Sequence, residues 1–372
     1  PAAAPSLPAA PARAAGTGDM LRELDRSVGK LAGGLGGLVG ASAKRPAEHS
    51  EPGAAGSTAP AGADATAEAP PIQRVQVHLD LAALKTLTLW NLLKMVLDAE
   101  VDQTSDEACV LEILDKTNSV FLDVSLRPDG EPGAMLVALR SPGGPSLADC
   151  ISRNLDEGES LTVARIGGVA GHRLAGPGAA NFPAPVVLVQ ASPGTWLLGT
   201  QPQVEATLAA GGNPEHDGTF QTLAGPVGPA DFRLAVVPSP AMAAMAPSAD
   251  DAPPAMACLA SLPRTLRGAG LGLRITDGFN LAVALQAASA AEAAQTQGCL
   301  QGAWNVLKPM ALAGMDEEEA AEFQQMLGIS LAQILDSVSF EAAGNFTKVS
   351  LSLPASVLEN LSQLAAGLAG EM

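Results

Sequence analysis

The chain is 372 residues long, 47% hydrophobic, and carries a formal net charge of −18 at pH 7. That length suits two or three domains with a sizeable core. Such acidity repels phosphate backbones and argues against a nucleic-acid partner. Three tryptophans, eight phenylalanines and no tyrosine leave few rings for a stacking platform.

Residues 1–18 are rich in Pro and Ala, have no apolar period, and are expected to be disordered. Leu21, Leu24, Val28, Leu31, Leu35 and Leu38 then recur at alternating steps of three and four, a heptad seam. Asp19 suits its N-cap. Gly33/Gly37 and Gly36/Gly40 are small-xxx-small pairs that allow close helix approach, although each glycine weakens the helix by up to ~1 kcal/mol. The segment 19–39 reads as a docking helix, for a protein partner, for self-association or for a membrane surface. Residues 41–73 are again Pro/Ala/Gly/Ser-rich, so 1–73 as a whole reads as a tether. No apolar run approaches the ~18–20 residues that span a bilayer.

Folded structure is expected from Arg74. Val75, Val77 and Leu79 alternate with Gln76, His78 and Asp80, the pattern of a strand with one buried face. A helix follows over 81–97, then a short helix bearing Cys109. Strands at 120–126 and 134–140 form a hairpin across Pro128-Asp129-Gly130, and Ser146 caps a helix bearing Cys150. Two further hairpins, 161–166/169–174 and 186–190/195–199, precede a helix near 203–210 that stops at Gly211-Gly212. Residues 213–230 read as a linker, with Glu215-His216-Asp217 in an exposed turn.

From Asp231 the order repeats: a strand at 232–237, a Met/Ala helix, Cys258, a hairpin over Asp277-Gly278, and a helix capped by Ser289 that carries Cys299 and Trp304. Asp316, Glu317, Glu318 and Glu319 open another helix, where its positive end favours acids. A hairpin across Gly344-Asn345 and a helix from Pro354 complete the chain.

The only four cysteines reinforce the doubling. Cys109 to Cys150 and Cys258 to Cys299 are both separations of 41. Four cysteines allow three pairings, and the matched spacing favours the two local ones. Paired thiols point to an oxidising compartment: periplasm, outer membrane or extracellular space. The fold class expected is α+β, with two homologous lobes of antiparallel sheet carrying helices on one face, each lobe holding its own disulfide. The lobes are residues 74–212 and 231–372. One long sheet shared by both copies is the alternative arrangement.

Chemistry-bearing patterns are sparse. His49, His78, His172 and His216 show no metal-ligand spacing, and no nucleophile elbow, phosphate loop or dinucleotide fingerprint is present. No catalytic, cofactor or metal residues are assigned. A dispersed hydrolase site using His172 or His216 is the least favoured reading. Met242, Met245 and Met256 offer adaptable lining for a groove.

The stretches LGTQPQVEATLAAGG and ITDGFNLAVALQAASAAEAA resemble uncharacterised exported, lipoprotein-like envelope proteins of high-GC Gram-negative bacteria, over residues 74–372. The resemblance implies export and a tethered α+β body, and supplies no catalytic residues. The expectation is therefore a non-enzymatic exported interaction or structural protein. A carrier of an apolar small molecule or lipid between the lobes is the alternative.

Overall fold

The computed structural model describes residues 72–360 except 88–89, 91–93, 95–107, 128–131, 143–146, 156 and 246–256, together with residue 363. The heptad seam Leu21, Leu24, Val28, Leu31, Leu35 and Leu38 lies outside the described residues, as do the turn at Pro128, the cap at Ser146, and Met256.

The first half supplies strands β1 (Ile72–Asp80), β2 (Ser119–Leu126), β3 (Pro132–Arg140), β4 (Ser160–Ile166), β5 (Val169–Ala175), β6 (Val186–Ser192) and β7 (Thr195–Thr200). The second supplies β8 (Phe232–Pro238), β9 (Gly268–Arg274), β10 (Phe279–Gln286), β11 (Val338–Ala343) and β12 (Phe346–Leu353). All twelve join one sheet, ordered β11-β12-β10-β9-β8-β1-β2-β3-β7-β6-β5-β4, with every neighbouring pair antiparallel. The halves are thus continuous, joined where β1 pairs with β8 from Ile72↔Pro238 to Leu79↔Phe232.

Reading outward from that seam, β1-β2-β3-β7-β6 on one side matches β8-β9-β10-β12-β11 on the other. The bracketing helices also correspond. In the first half α2 (Ala108–Lys116) precedes β2 and α3 (Leu147–Arg153) follows β3; in the second, α7 (Ala257–Thr265) precedes β9 and α8 (Ala290–Ala313) follows β10. Each pair is joined by its disulfide, with Cα atoms 5.8 Å apart for Cys109–Cys150 and 5.9 Å for Cys258–Cys299. The halves differ next: the first inserts the hairpin β4–β5, the second the helices α9 (Glu317–Leu327) and α10 (Leu331–Asp336). Other described helices are α1 (Leu81–Leu84), α4 (Gln201–Ala209), α5 (Gly218–Ala224) and α6 (Pro240–Met245), and residues 355–360 are helical after β12.

Helices occupy both faces of the sheet, because strands such as β7 are apolar on both sides. Leu197 joins the core under α4 and α5, with Phe121, Leu136, Val187, Val204 and Phe220. Its neighbours Trp196 and Leu198 point the other way and pack with Cys109, Ile113, Leu147 and Cys150 of the stapled pair α2/α3. In the second half α8 lies on this same stapled face, where Thr347 donates to the Ala293 carbonyl at 2.7 Å.

Residues 213–230, expected as a linker, are instead packed structure. They form a 3₁₀ turn at Pro214–His216, α5, and a second 3₁₀ turn at Gly225–Val227. Phe220 and Ala224 are fully buried, and Phe220 meets Phe121 edge-on at 5.1 Å between ring centroids. The reason lies in β9, where Gly268 and Gly270 face α5 and Gly272 faces Val227 and Ala230 just beyond it. A Cβ on Gly270 would sit 1.9 Å from the Leu223 carbonyl oxygen, and one on Gly268 2.3 Å from a Leu223 methyl. Alternate glycines let this segment lie directly on the strand.

Candidate interaction surface and polar core

The face beneath α5 also holds a charged cluster. β1 directs Arg74, Gln76 and His78 toward it, β2 brings Asp123, and β8 brings Arg233, in register as Gln76↔Asp123 and His78↔Arg233. The sequence pattern placed the polar side chains of β1 on an open face. The structure reverses this: Gln76 and His78 are 1% and 6% exposed, whereas Val75, Val77 and Leu79 are only half-buried. The cover is the 213–230 segment, whose acids neutralise the cations below.

Arg74 grips Asp123 with two bonds, Nε to Oδ1 at 2.8 Å and Nη2 to Oδ2 at 2.5 Å, and reaches Asp217 at 3.1 Å. Gln203 of α4 donates to Asp123 at 2.9 Å. The Asp123 bond holds the Arg74 pKa above its ordinary value, against burial, which lowers it. Burial would raise the Asp217 pKa, but hydrogen bonds from the Phe220 amide and Gln76, with the Arg74 charge, leave it lowered. Asp217 also caps α5, accepting from the Thr219 and Phe220 amides at 2.9 and 3.1 Å.

Glu215 is the second anchor. Its carboxylate lies 3.3 Å from His78 Nε2, 3.4 Å from Arg233 Nη2 and 3.7 Å from Arg140 Nη1. The His78 bond, followed by the charges of His78, Arg140 and Arg233, holds the Glu215 pKa below 4.5 despite burial. Arg233 also reaches His78 Nδ1 at 3.3 Å and stacks over the Phe220 ring at 5.3 Å. Both His78 nitrogens are therefore engaged by ionic side chains. His216, next to Glu215, turns outward and meets Asn213 at 3.1 Å. His172 lies on β5, opposite Val163. These contacts bring neither His172 nor His216 to the Glu215 carboxylate, and the arrangement has the form of an ionic clasp between the halves.

Apolar surface is left on the stapled face and at its edge. On β9, β10 and β12, Leu271, Leu273, Leu281, Val283, Val349 and Leu351 stand in register on one face, all half-buried. Across this face α8 runs over β12 and then β11: Gln297 donates to the Phe340 carbonyl at 3.1 Å, and Trp304 approaches Phe340 at 6.3 Å between rings. Beyond Trp304 no residue of α8 is buried. The helix continues to Ala313, tied by the Lys308–Asp336 ion pair, and turns into α9. Asp316 caps α9 through a capping box, accepting from the Glu318 and Glu319 amides at 3.0 and 2.9 Å. No residue of α9 is buried.

Of the six large apolar side chains left exposed among the described residues, five sit here: Val306 (44%), Leu307 (40%), Met310 (63%), Leu312 (38%) and Met326 (46%). Sequence reading missed this exposed run. The clue was present in Trp-x-x-Leu-x-x-Met at 304–310, which continues the buried stripe of Ala293, Thr296 and Ala303 past the sheet edge. Of the groove-lining methionines, Met242 is half-buried on α6. No helix among the described residues is long and apolar enough to cross a membrane.

No protein family model matches the sequence, and no curated protein matches it. Two solved structures align with the chain, crystal forms III and I of TP0453. Form III is 10% identical with a TM-score of 0.34, covering 82% of this chain and 100% of that one. Form I is 11% identical with a TM-score of 0.35, covering 82% and 98%. At these scores the likeness carries no argument about ligand or activity. The two disulfides are the feature that bears on environment: they belong to a protein outside a reducing cytoplasm.

Proposed function

We propose that the protein is an exported, non-catalytic interaction protein of the periplasm, outer membrane or extracellular space, akin to lipoprotein-like envelope proteins of high-GC Gram-negative bacteria. It binds through apolar surface on a disulfide-braced sheet. The observation that supports this reading is the exposed apolar stripe of Val306, Leu307 and Met310 on α8, with Met326 on α9. A helix stripe of this kind, uncovered while the same helix is packed upstream, is a binding element. The test is capture of a protein partner from an envelope extract by the intact chain and by Leu307→Glu/Met310→Glu. Loss of the captured protein with the variant supports the reading; equal capture by both overturns it.

A second reading rests on a separate observation, the half-buried aliphatic rows of β9, β10 and β12 on the stapled face. They suit an apolar small molecule or lipid. Native mass spectrometry after incubation with a long-chain fatty acid checks it. A bound adduct that disappears in Val283→Glu supports a carrier, and an unliganded mass in the wild type rejects it.

A further inference from the structure

The far half of α8 and α9 carry an apolar stripe beside four glutamates, Glu317, Glu318, Glu319 and Glu322. Pairing with the same surface of a second copy brings two such acidic sets together, which like-charge repulsion opposes. An anionic lipid surface is opposed for the same reason. The chemistry that fits is an apolar helix without an acidic surplus. The chain contains one such sequence outside the described residues. The seam Leu21, Leu24, Val28, Leu31, Leu35 and Leu38 has the 3.5-residue period of helix-on-helix packing. Over 19–39 three basic residues, Arg22, Arg26 and Lys30, balance three acidic ones, Asp19, Glu23 and Asp25, so the segment brings no acidic surplus. Nearly all the chain's negative charge lies elsewhere: six of 21 basic and seven of 39 acidic residues fall in 1–73, leaving −17 of the −18 on 74–372.

We propose that residues 19–39 of this chain dock, as a helix, onto the exposed stripe of α8 and onto α9 of the same molecule. This deepens the reading of that surface as a binding element and rests on it. The reach is sufficient. Residues 40–71 form a tether of 32 residues, for which the root-mean-square span of a flexible chain is ~30 Å and the extended limit is ~110 Å. From Ile72 to β11 is five strand spacings, ~24 Å across the sheet, and up to ~30 Å along the strands. The tethered segment therefore meets the stripe at an effective concentration of order millimolar. The segment is neutral overall, so its contact with the stripe is apolar packing through the leucine seam. The glycines at 33, 34, 36 and 37 weaken the helix in isolation, so helix formation and docking are coupled.

The test is amide hydrogen exchange on the full chain with its disulfides intact, comparing the wild type with Leu24→Glu/Leu31→Glu. Docking predicts that amides in 305–313 and 317–327 exchange about tenfold more slowly in the wild type, as for a site occupied about nine-tenths of the time. Equal rates overturn the proposal. Protection that is unchanged on dilution by about a hundredfold is expected for a tethered segment; protection lost on dilution assigns the occupant to a second copy and overturns it. The reciprocal variant, Leu307→Glu/Met310→Glu, alters only exposed side chains and is expected to raise tryptic cleavage at Arg22, Arg26 and Lys30 about tenfold. Unchanged cleavage overturns the proposal. If Leu24→Glu/Leu31→Glu leaves exchange unchanged while Leu307→Glu/Met310→Glu abolishes partner capture, this inference falls and the binding reading stands. If the α8 variant alters neither capture nor cleavage, both fall.

Discussion

At the scale of single residues, Glu215 holds the halves together. It is the common partner of His78 from β1, Arg233 from β8 and Arg140 from β3. Removing one member of a partly buried ionic set strands the others without compensation. Glu215→Gln is expected to cost about 2 kcal/mol at neutral pH, read by chemical denaturation. The sign of the pH dependence follows from the lowered carboxyl pKa. A carboxylate whose folded-state pKa is depressed stabilises the fold above its unfolded value, near 4.5, and this is lost as pH falls through the folded-state value. The gap between wild type and Glu215→Gln is therefore full above about pH 4.5 and narrows as pH falls through the lowered folded-state value, whereas a gap that widens as pH falls rules out the clasp. This cluster was not legible in the sequence. Gln76 and His78 read as solvent-facing because a strand pattern shows which residues share a face, not which face is covered. The cover comes from residues 213–230, more than 130 positions away. By contrast, the helix start at Asp316 and the Ser289 cap depend only on neighbours a few residues on, and both were legible, although the capping box at Asp316 was not read.

At the scale of elements, α5 and β9 fit by subtraction of side chains. Gly270 leaves no room for a Cβ against the Leu223 backbone, while Gly218 at the start of α5 has open space around it. Gly270→Val is expected to destabilise by about 3 kcal/mol, the upper end of overpacking costs, because backbone rather than a side-chain tip must move. Gly218→Ala is expected to be neutral or to stabilise by up to about 1 kcal/mol. Thermal midpoints of the two variants check the contrast, and equal midpoints reject the close approach. The alternation Gly-Ala-Gly-Leu-Gly in β9 was read only as a strand, although glycine at every second position marks a face that another backbone approaches. The stapled pairs were legible because 41-residue spacing occurred twice. Cys258→Ser/Cys299→Ser is expected to lower stability by about 2–4 kcal/mol in denaturant titration.

At the scale of the whole molecule, two homologous lobes were expected, and the structure joins them into one twelve-stranded sheet. Strand and helix order within each half was legible from alternation, turn residues and caps. One sheet shared by both copies was the alternative arrangement expected, but the strands that join it were not legible, since nothing in the sequence of β1 or β8 names its partner across the seam. The segment between the halves contributes Phe220 to the core of the first and Leu223 to the glycine face of the second. The halves are therefore expected to unfold as one unit. Calorimetry should give one transition whose calorimetric and van't Hoff enthalpies agree, and two resolved transitions contradict the shared core.

The seam has one more consequence. Equivalent strands β1 and β8 lie side by side and antiparallel, the arrangement in which two identical subunits meet about a dyad. Here the subunits are covalently one, so their association has no dissociation constant to satisfy. The protein keeps its quaternary-like architecture at any dilution, where a true dimer built on the same contact would come apart.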